Sequence, residues 1–153
     1  MPDVLHYRQD VFVLSPRTKI MNKIKGKIAS VKSSENISIV EIEANGYKFS
    51  ALIIGTNANT SYLDNGNDVF VLFKETEVSI AKNRTGLISL NNCLDVILKK
   101  ISKGDVLTRL ELDFAGFIIV SIITTRSAER LNLCVGDNLE ALIKSNEITL
   151  MEG

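Results

Sequence analysis

The chain lacks most of the residues that chemistry on a substrate draws on. It has no tryptophan, one histidine (His6), two cysteines and two prolines in 153 residues. A single histidine cannot build a His-rich metal centre, and His6 reads as an exposed end residue rather than a base. Cys93 and Cys134 stand far apart with no CxxC spacing. They read as two small apolar thiols of a cytoplasmic protein. The nine glycines never fall in a GxGxxG or Walker A pattern, so no phosphate cradle is expected. There is no HExxH and no GxSxG, and an enzyme is not expected. Eighteen basic residues cancel eighteen acidic ones, so no global field draws in nucleic acid or an anionic membrane. The apolar run Phe117–Val120, resumed at Ile122, has strand length and falls far short of the roughly 20 residues of a membrane span. Met1-Pro2-Asp3 offers neither a basic n-region nor an apolar h-region, and no signal peptide is expected.

The composition that remains is that of a soluble globular protein, 45% apolar and 24% charged. Its length suits one domain or two small ones. The sequence aligns on itself without a gap at an offset of 70 residues. Asn22 meets Asn92, Glu41 meets Glu111, Gly46 meets Gly116 and Gly66 meets Gly136. Lys74 meets Lys144 and Glu77 meets Glu147, with conservative pairs such as Tyr47 and Phe117 between them. A fixed register over this span is the mark of an internal repeat. The organisation expected is a lead arm over 1–18, unit one over 19–81, a short polar linker over 82–88 and unit two over 89–153.

Each unit reads mainly as strands. Lys27–Val31 alternates at period two, and Asn45-Gly46 is a hairpin dipeptide between Ile37–Glu43 and Tyr47–Phe49. Leu107–Leu112 and Phe117–Ile123 repeat that hairpin. Thr124–Ser127 supplies cap residues for a short helix over Ala128–Leu131, which stops before Val135-Gly136-Asp137. Strands over Leu139–Ile143 and Glu147–Met151 close the unit. The fold class expected is all-β with short helices, as two tandem OB-like five-stranded barrels.

The second unit resembles the Mop (molbindin) branch of the TOBE domains. Ile88-Ser89-Leu90-Asn91-Asn92 is similar to that family's Ser-Ala-Arg-Asn opening. Ser121–Leu131 is similar to its helix-entry segment, and Ala141–Ile148 to its closing Lys-Ser/Ala strand. Unit one matches through Asn22, Lys25-Gly26-Lys27 and Phe73–Val78. The resemblance implies a tandem di-Mop protein that binds molybdate or tungstate in the cytoplasm, for storage or homeostasis. It implies oxyanion ligands at Ser89, Asn91, Thr124, Ser127, Lys144 and Ser145, with no metal coordinated directly by protein. Asn91 stands where the family has arginine, which removes a cation. In this family the opening motif and the other segments come from different subunits, which implies sites at subunit interfaces and a homotrimer.

The residue types suit the chemistry. A tetrahedral dianion wants several donors and few acceptors, which hydroxyls, backbone N–H groups at a helix start and one lysine supply. Unit one departs further: Lys19 to Asn22 replace the opening motif, Ile54 and Asn57 replace Thr and Ser, and Glu75 follows Lys74. It reads as a structural copy. Two other roles stay open: a regulatory or sensor module, and a ligand-free oligomerisation domain. Tyr7–Pro16 resembles the run that leads into the TOBE domain of molybdate-importer ATPases, which allows an association with such an importer.

Overall fold

Alternation at period two is carried directly into burial along the long strands. In the computed structural model, which describes residues 21–55 and 63–153, β1 (Met21–Ser34) buries Asn22, Ile24, Gly26 and Ile28. It turns Lys23, Lys25 and Lys27 outward. The lead arm over 1–18 with His6, and also Lys19 and Asn57, lie outside the described residues. The remaining strands are β2 (Ile37–Ala44), β3 (Tyr47–Ile54), β4 (Asp68–Lys74), β5 (Ser79–Ala81), β6 (Asn92–Lys103), β7 (Leu107–Phe114), β8 (Phe117–Thr124), β9 (Asn138–Ile143) and β10 (Thr149–Glu152). Among the described residues one helix, α1, covers Thr125–Arg130, and 3₁₀ turns cover Glu75–Glu77 and Ser145–Glu147.

The repeat extends to fine detail. β1 and β6 carry register breaks at Ile28/Ser30 and Leu98/Lys100, 70 residues apart. The hairpin turns Asn45-Gly46 and Ala115-Gly116 both run through positive φ, the conformation that fits a tight hairpin to the twist of its strands. In each, a carboxylate three residues earlier accepts the glycine N–H: Glu43 at 2.8 Å and Asp113 at 3.1 Å. Gly66 and Gly136 donate to the carbonyls of Ile28 and Leu98, at 2.7 and 2.8 Å.

The strands form two five-stranded sheets, ordered β10-β4-β1-β2-β3 and β5-β9-β6-β7-β8. In each, the two end strands come together, β3 with β10 and β8 with β5, which curls the sheet into an OB-type barrel. The closing strands are exchanged between the repeats. β10, from the second repeat, pairs with β4 of the first, Leu150 opposite Val71. β5, from the first repeat, pairs with β9 of the second, Ile80 opposite Ala141. The 3₁₀ turns travel with them: Ser145–Glu147 packs on β3 and Glu75–Glu77 on β8. The first compact unit therefore gathers Asn22–Phe73, Ile88–Asn92 and Ile143–Gly153, and the second gathers Lys74–Leu87 and Cys93–Leu142.

The first unit packs Ile28, Ile42, Phe49, Val71 and Phe73 in its core, and the second packs Leu98, Leu110, Leu112, Phe114 and Ile119. Gly26 marks a close approach in the first. A Cβ there would lie 2.7 Å from Ile42 Cγ2 and 2.8 Å from the Glu43 carbonyl oxygen. Gly26→Ala is expected to destabilise the protein by about 1–3 kcal/mol, the usual cost of overpacking, measured by urea denaturation. An unchanged midpoint would mean that β2 gives way freely.

The connector is fastened to the second unit. Arg84 makes a two-pronged bond to Glu140, at 2.7 and 2.9 Å. Lys82 reaches Asp137 at 3.1 Å and the Asn132 carbonyl at 2.7 Å. Arg84 holds the Glu140 carboxyl below its ordinary range, and the Cys134 N–H and Lys82 do the same for Asp137. Both clamps operate at neutral pH and are lost as pH falls through the lowered carboxylate values.

Candidate oxyanion site

The opening segment of the second repeat is held in the first unit by one side chain. Asn92 is fully buried. Its Oδ1 accepts the Ser50 N–H at 2.7 Å, and its Nδ2 donates to the Ser50 carbonyl at 2.9 Å and to the Ile143 carbonyl at 3.0 Å. Ser89 and Asn91, on either side of Leu90, are exposed. Lys144 follows Ile143 directly, is exposed, and begins the 3₁₀ turn, with its carbonyl accepting the Glu147 N–H at 2.9 Å. Ser145 is half-buried on that turn. Four of the six expected ligands, Ser89, Asn91, Lys144 and Ser145, thus belong to the first compact unit.

The other two, Thr124 and Ser127, belong to the second. Helix α1 starts at Thr125, three residues before the expected start, because Thr124 caps it. Thr124 Oγ1 accepts the Ser127 N–H at 3.1 Å and donates to Ser127 Oγ at 2.9 Å. The Thr125 N–H goes to the Val106 carbonyl at 2.8 Å. The expected row of free N–H groups is therefore partly spent inside the protein. The Ser127 hydroxyl accepts from Thr124, which leaves its own hydrogen for an outside acceptor. Thr125 turns inward, donating to the Gly104 carbonyl at 2.7 Å and meeting the Thr108 hydroxyl at 2.8 Å.

Lys74 and Glu75 accompany Thr124 and Ser127 in the second unit. Glu75 occupies the position that Ser145 holds in the other repeat. It is only 7% exposed. Burial pushes its carboxyl up, Arg109 pulls it down and Glu111 pushes it up again. Arg109 is itself engaged with Glu111 at 2.7 Å. A carboxylate here opposes an anion. At the end of β3, Ile54 takes the place of Thr124 and is 69% exposed, without a polar group to offer.

Two buried polar residues escaped the reading of the sequence as functional or structural anchors. Asn92 is one. Ser121, fully buried, donates to the Val78 carbonyl at 2.7 Å and so ties the exchanged segment to β8. The signal for Asn92 was its place in register with Leu94, Val96 and Leu98 on the buried face of β6. A polar side chain there must find hydrogen-bond partners. Among the described residues no group of three His, Cys, Asp or Glu is placed to hold a metal ion. No helix among them is long and apolar enough to cross a membrane.

Residues 88–150 match the TOBE-domain family. Over 92% of this chain and 99% of the other, the fold matches a crystal structure of the cytoplasmic molybdate-binding protein ModG with molybdate bound. The TM-score is 0.82 and the sequence identity 26%. A molybdate-binding protein from Sporomusa ovata is 37% identical over 39% of this chain and 90% of its own, with a TM-score of 0.38. No curated protein sequence matches the chain. The TOBE match falls on the second repeat, whose strands and 3₁₀ turn recur in the first, and the fold is shared with ModG over 92% of the chain. The second repeat is a TOBE domain, and the chain with its tandem repeat is similar in fold to ModG.

Proposed function

We propose that this protein binds molybdate in the cytoplasm, to store or buffer the ion, and performs no chemistry on it. The observation that supports this most is the likeness to ModG, whose crystal held molybdate, over 92% of the chain. Tungstate, of similar size and charge, belongs to the same ligand class. The residues proposed as ligands are Ser89, Asn91, Thr124, Ser127, Lys144 and Ser145, contributed to each site by different subunits. Hydroxyls and an amide supply neutral donors, Thr124 aims the Ser127 hydroxyl, and Lys144 supplies charge.

The exposure of these groups bears on how the site is completed. Ser89, Asn91, Thr124 and Lys144 all lie open to water on a single chain. In water a lysine and a dianion attract each other weakly, and the same pair shielded from water attracts strongly. The reading is therefore that the site closes at the interface of a homotrimer, where a neighbouring subunit excludes water. Calorimetric titration with molybdate, tungstate, sulfate and phosphate, run beside light scattering after size exclusion, tests both parts. Saturable heat from molybdate and tungstate, from a closed oligomer, is the expected result. A monomer at micromolar concentration would remove the interface site, and absence of heat from all four ions would remove the binding role.

A further inference from the structure

We propose that Asn92 is a positioning residue of the oxyanion sites, the group that fixes both the opening segment and the Lys144 turn to the first compact unit. The inference rests on the molybdate reading above and adds to it how one of the sites is held in shape. The Asn92 carboxamide is paired with Ser50 through both its oxygen and its nitrogen, as a neighbouring strand residue would be. Its second N–H goes to Ile143. Both hydrogens of the amide nitrogen are therefore used, and the side chain has no exposure to water.

Those bonds join three stretches that are remote in sequence: β3 of the first repeat, the opening segment of the second, and the residue immediately before Lys144. Both stretches that bear ligands enter the first compact unit here, since Asn92 ends the segment Ile88–Asn92 and Ile143 begins the segment Ile143–Gly153. Asn91 is one residue from the amide, Ser89 is three, and Lys144 is one residue beyond its acceptor. Ligand groups on a surface segment and on a turn have no fixed spacing of their own. A buried three-bond amide anchors each of them to the barrel, and binding groups held in place lose less freedom when the ligand arrives.

Asn92→Asp preserves shape and the acceptor for the Ser50 N–H. It places a carboxylate oxygen against the carbonyls of Ser50 and Ile143, so the clamp is repelled where it was bonded. Val71→Ala, a core truncation in β4 of the same unit, serves as a control that lowers stability without touching the amide. All proteins are titrated with molybdate and with sulfate at a temperature where circular dichroism finds them folded. Asn92→Asp is expected to weaken molybdate binding at least ten-fold and to reduce the ratio of molybdate to sulfate affinity. Val71→Ala is expected to lower the melting temperature and leave both affinities unchanged.

A second measurement needs no variant. Hydrogen exchange of the Ser50 amide in the wild-type protein, followed by NMR, is expected to slow at least ten-fold when molybdate is saturating. If wild type binds molybdate, unchanged affinity in Asn92→Asp or unchanged Ser50 exchange overturns the positioning role alone. If wild type binds no oxyanion, the molybdate reading falls, and this inference falls with it.

Discussion

Lys144→Ala is expected to weaken molybdate binding by roughly 30-fold to several thousand-fold, equivalent to about 2–5 kcal/mol, the range for removing one partner of a buried charge pair. The size of the loss is the informative part. A lysine facing an anion across open water contributes at most about 1 kcal/mol, or roughly five-fold. Lys144 is exposed on the single chain, so a large loss requires that assembly bury it. Folding should survive, because no ion pair involving Lys144 occurs among the described residues to be broken. Calorimetry on wild type and variant, with a thermal melt of each, gives both quantities. A loss within five-fold would identify Lys144 as a solvated strand end. Lys74→Ala should change affinity little, since the buried Glu75 carboxyl beside it works against an anion in that unit.

The strands were legible because their residues obey one rule at a time. The alternation read over Lys27–Val31 falls in β1, where Ile28 is buried between the exposed Lys27 and Ala29. The hairpins were legible from Asn45-Gly46 and from its copy at Ala115-Gly116. The offset of 70 carries the strands of one repeat onto those of the other. It could not say which copy of a closing strand goes with which barrel. Val78 and Ile148 are both buried beside their 3₁₀ turns, and two segments of one pattern can each complete either sheet. Periodicity identifies equivalent residues and is silent on partners.

The site was legible in part, for a related reason. Residue types marked Ser89, Thr124, Ser127, Lys144 and Ser145 as donors, and the family's motifs gave them an order. The exchange then distributes them: Lys144 and Ser145 travel with β10 into the first unit, while Thr124 and Ser127 stay with β8 in the second. The helix start was misjudged by three residues, because Thr124 lies at the strand end and in the cap at once. Asn92 is legible in the sequence as an identity between repeats and as the last residue of the opening motif, without a partner. Its meaning depends on the Ser50 backbone and Ile143, 42 and 51 residues away, which no local pattern in the sequence connects.

Deletion of Thr149–Gly153 is expected to unfold the amino-terminal repeat while sparing much of the carboxy-terminal one from which the residues were removed. The lost strand is the partner of β4, matched from Thr149 opposite Leu72 to Glu152 opposite Val69. It also brings Leu150, 7% exposed, into the first unit. Losing that side chain's burial costs about 1.5–3 kcal/mol. Stripping β4 of its ladder with β10 opens the barrel between β4 and β3. A unit this small has only a few kcal/mol in reserve, so the combined loss should exceed what it can bear. The second unit keeps its own closing strand, Ser79–Ala81, paired with β9, and keeps Ser121 bonded to Val78. Hydrogen exchange read by mass spectrometry should show peptides from 22–54 losing protection and peptides from 93–142 retaining it. The reverse pattern, with 93–142 exposed and 22–54 protected, would mean that each repeat closes on its own last strand in solution. The two outcomes also separate how the site fails. With the exchange in place, the truncated chain keeps Thr124 and Ser127 on a folded unit but leaves Lys144 and Ser145 on a turn with no barrel beneath it.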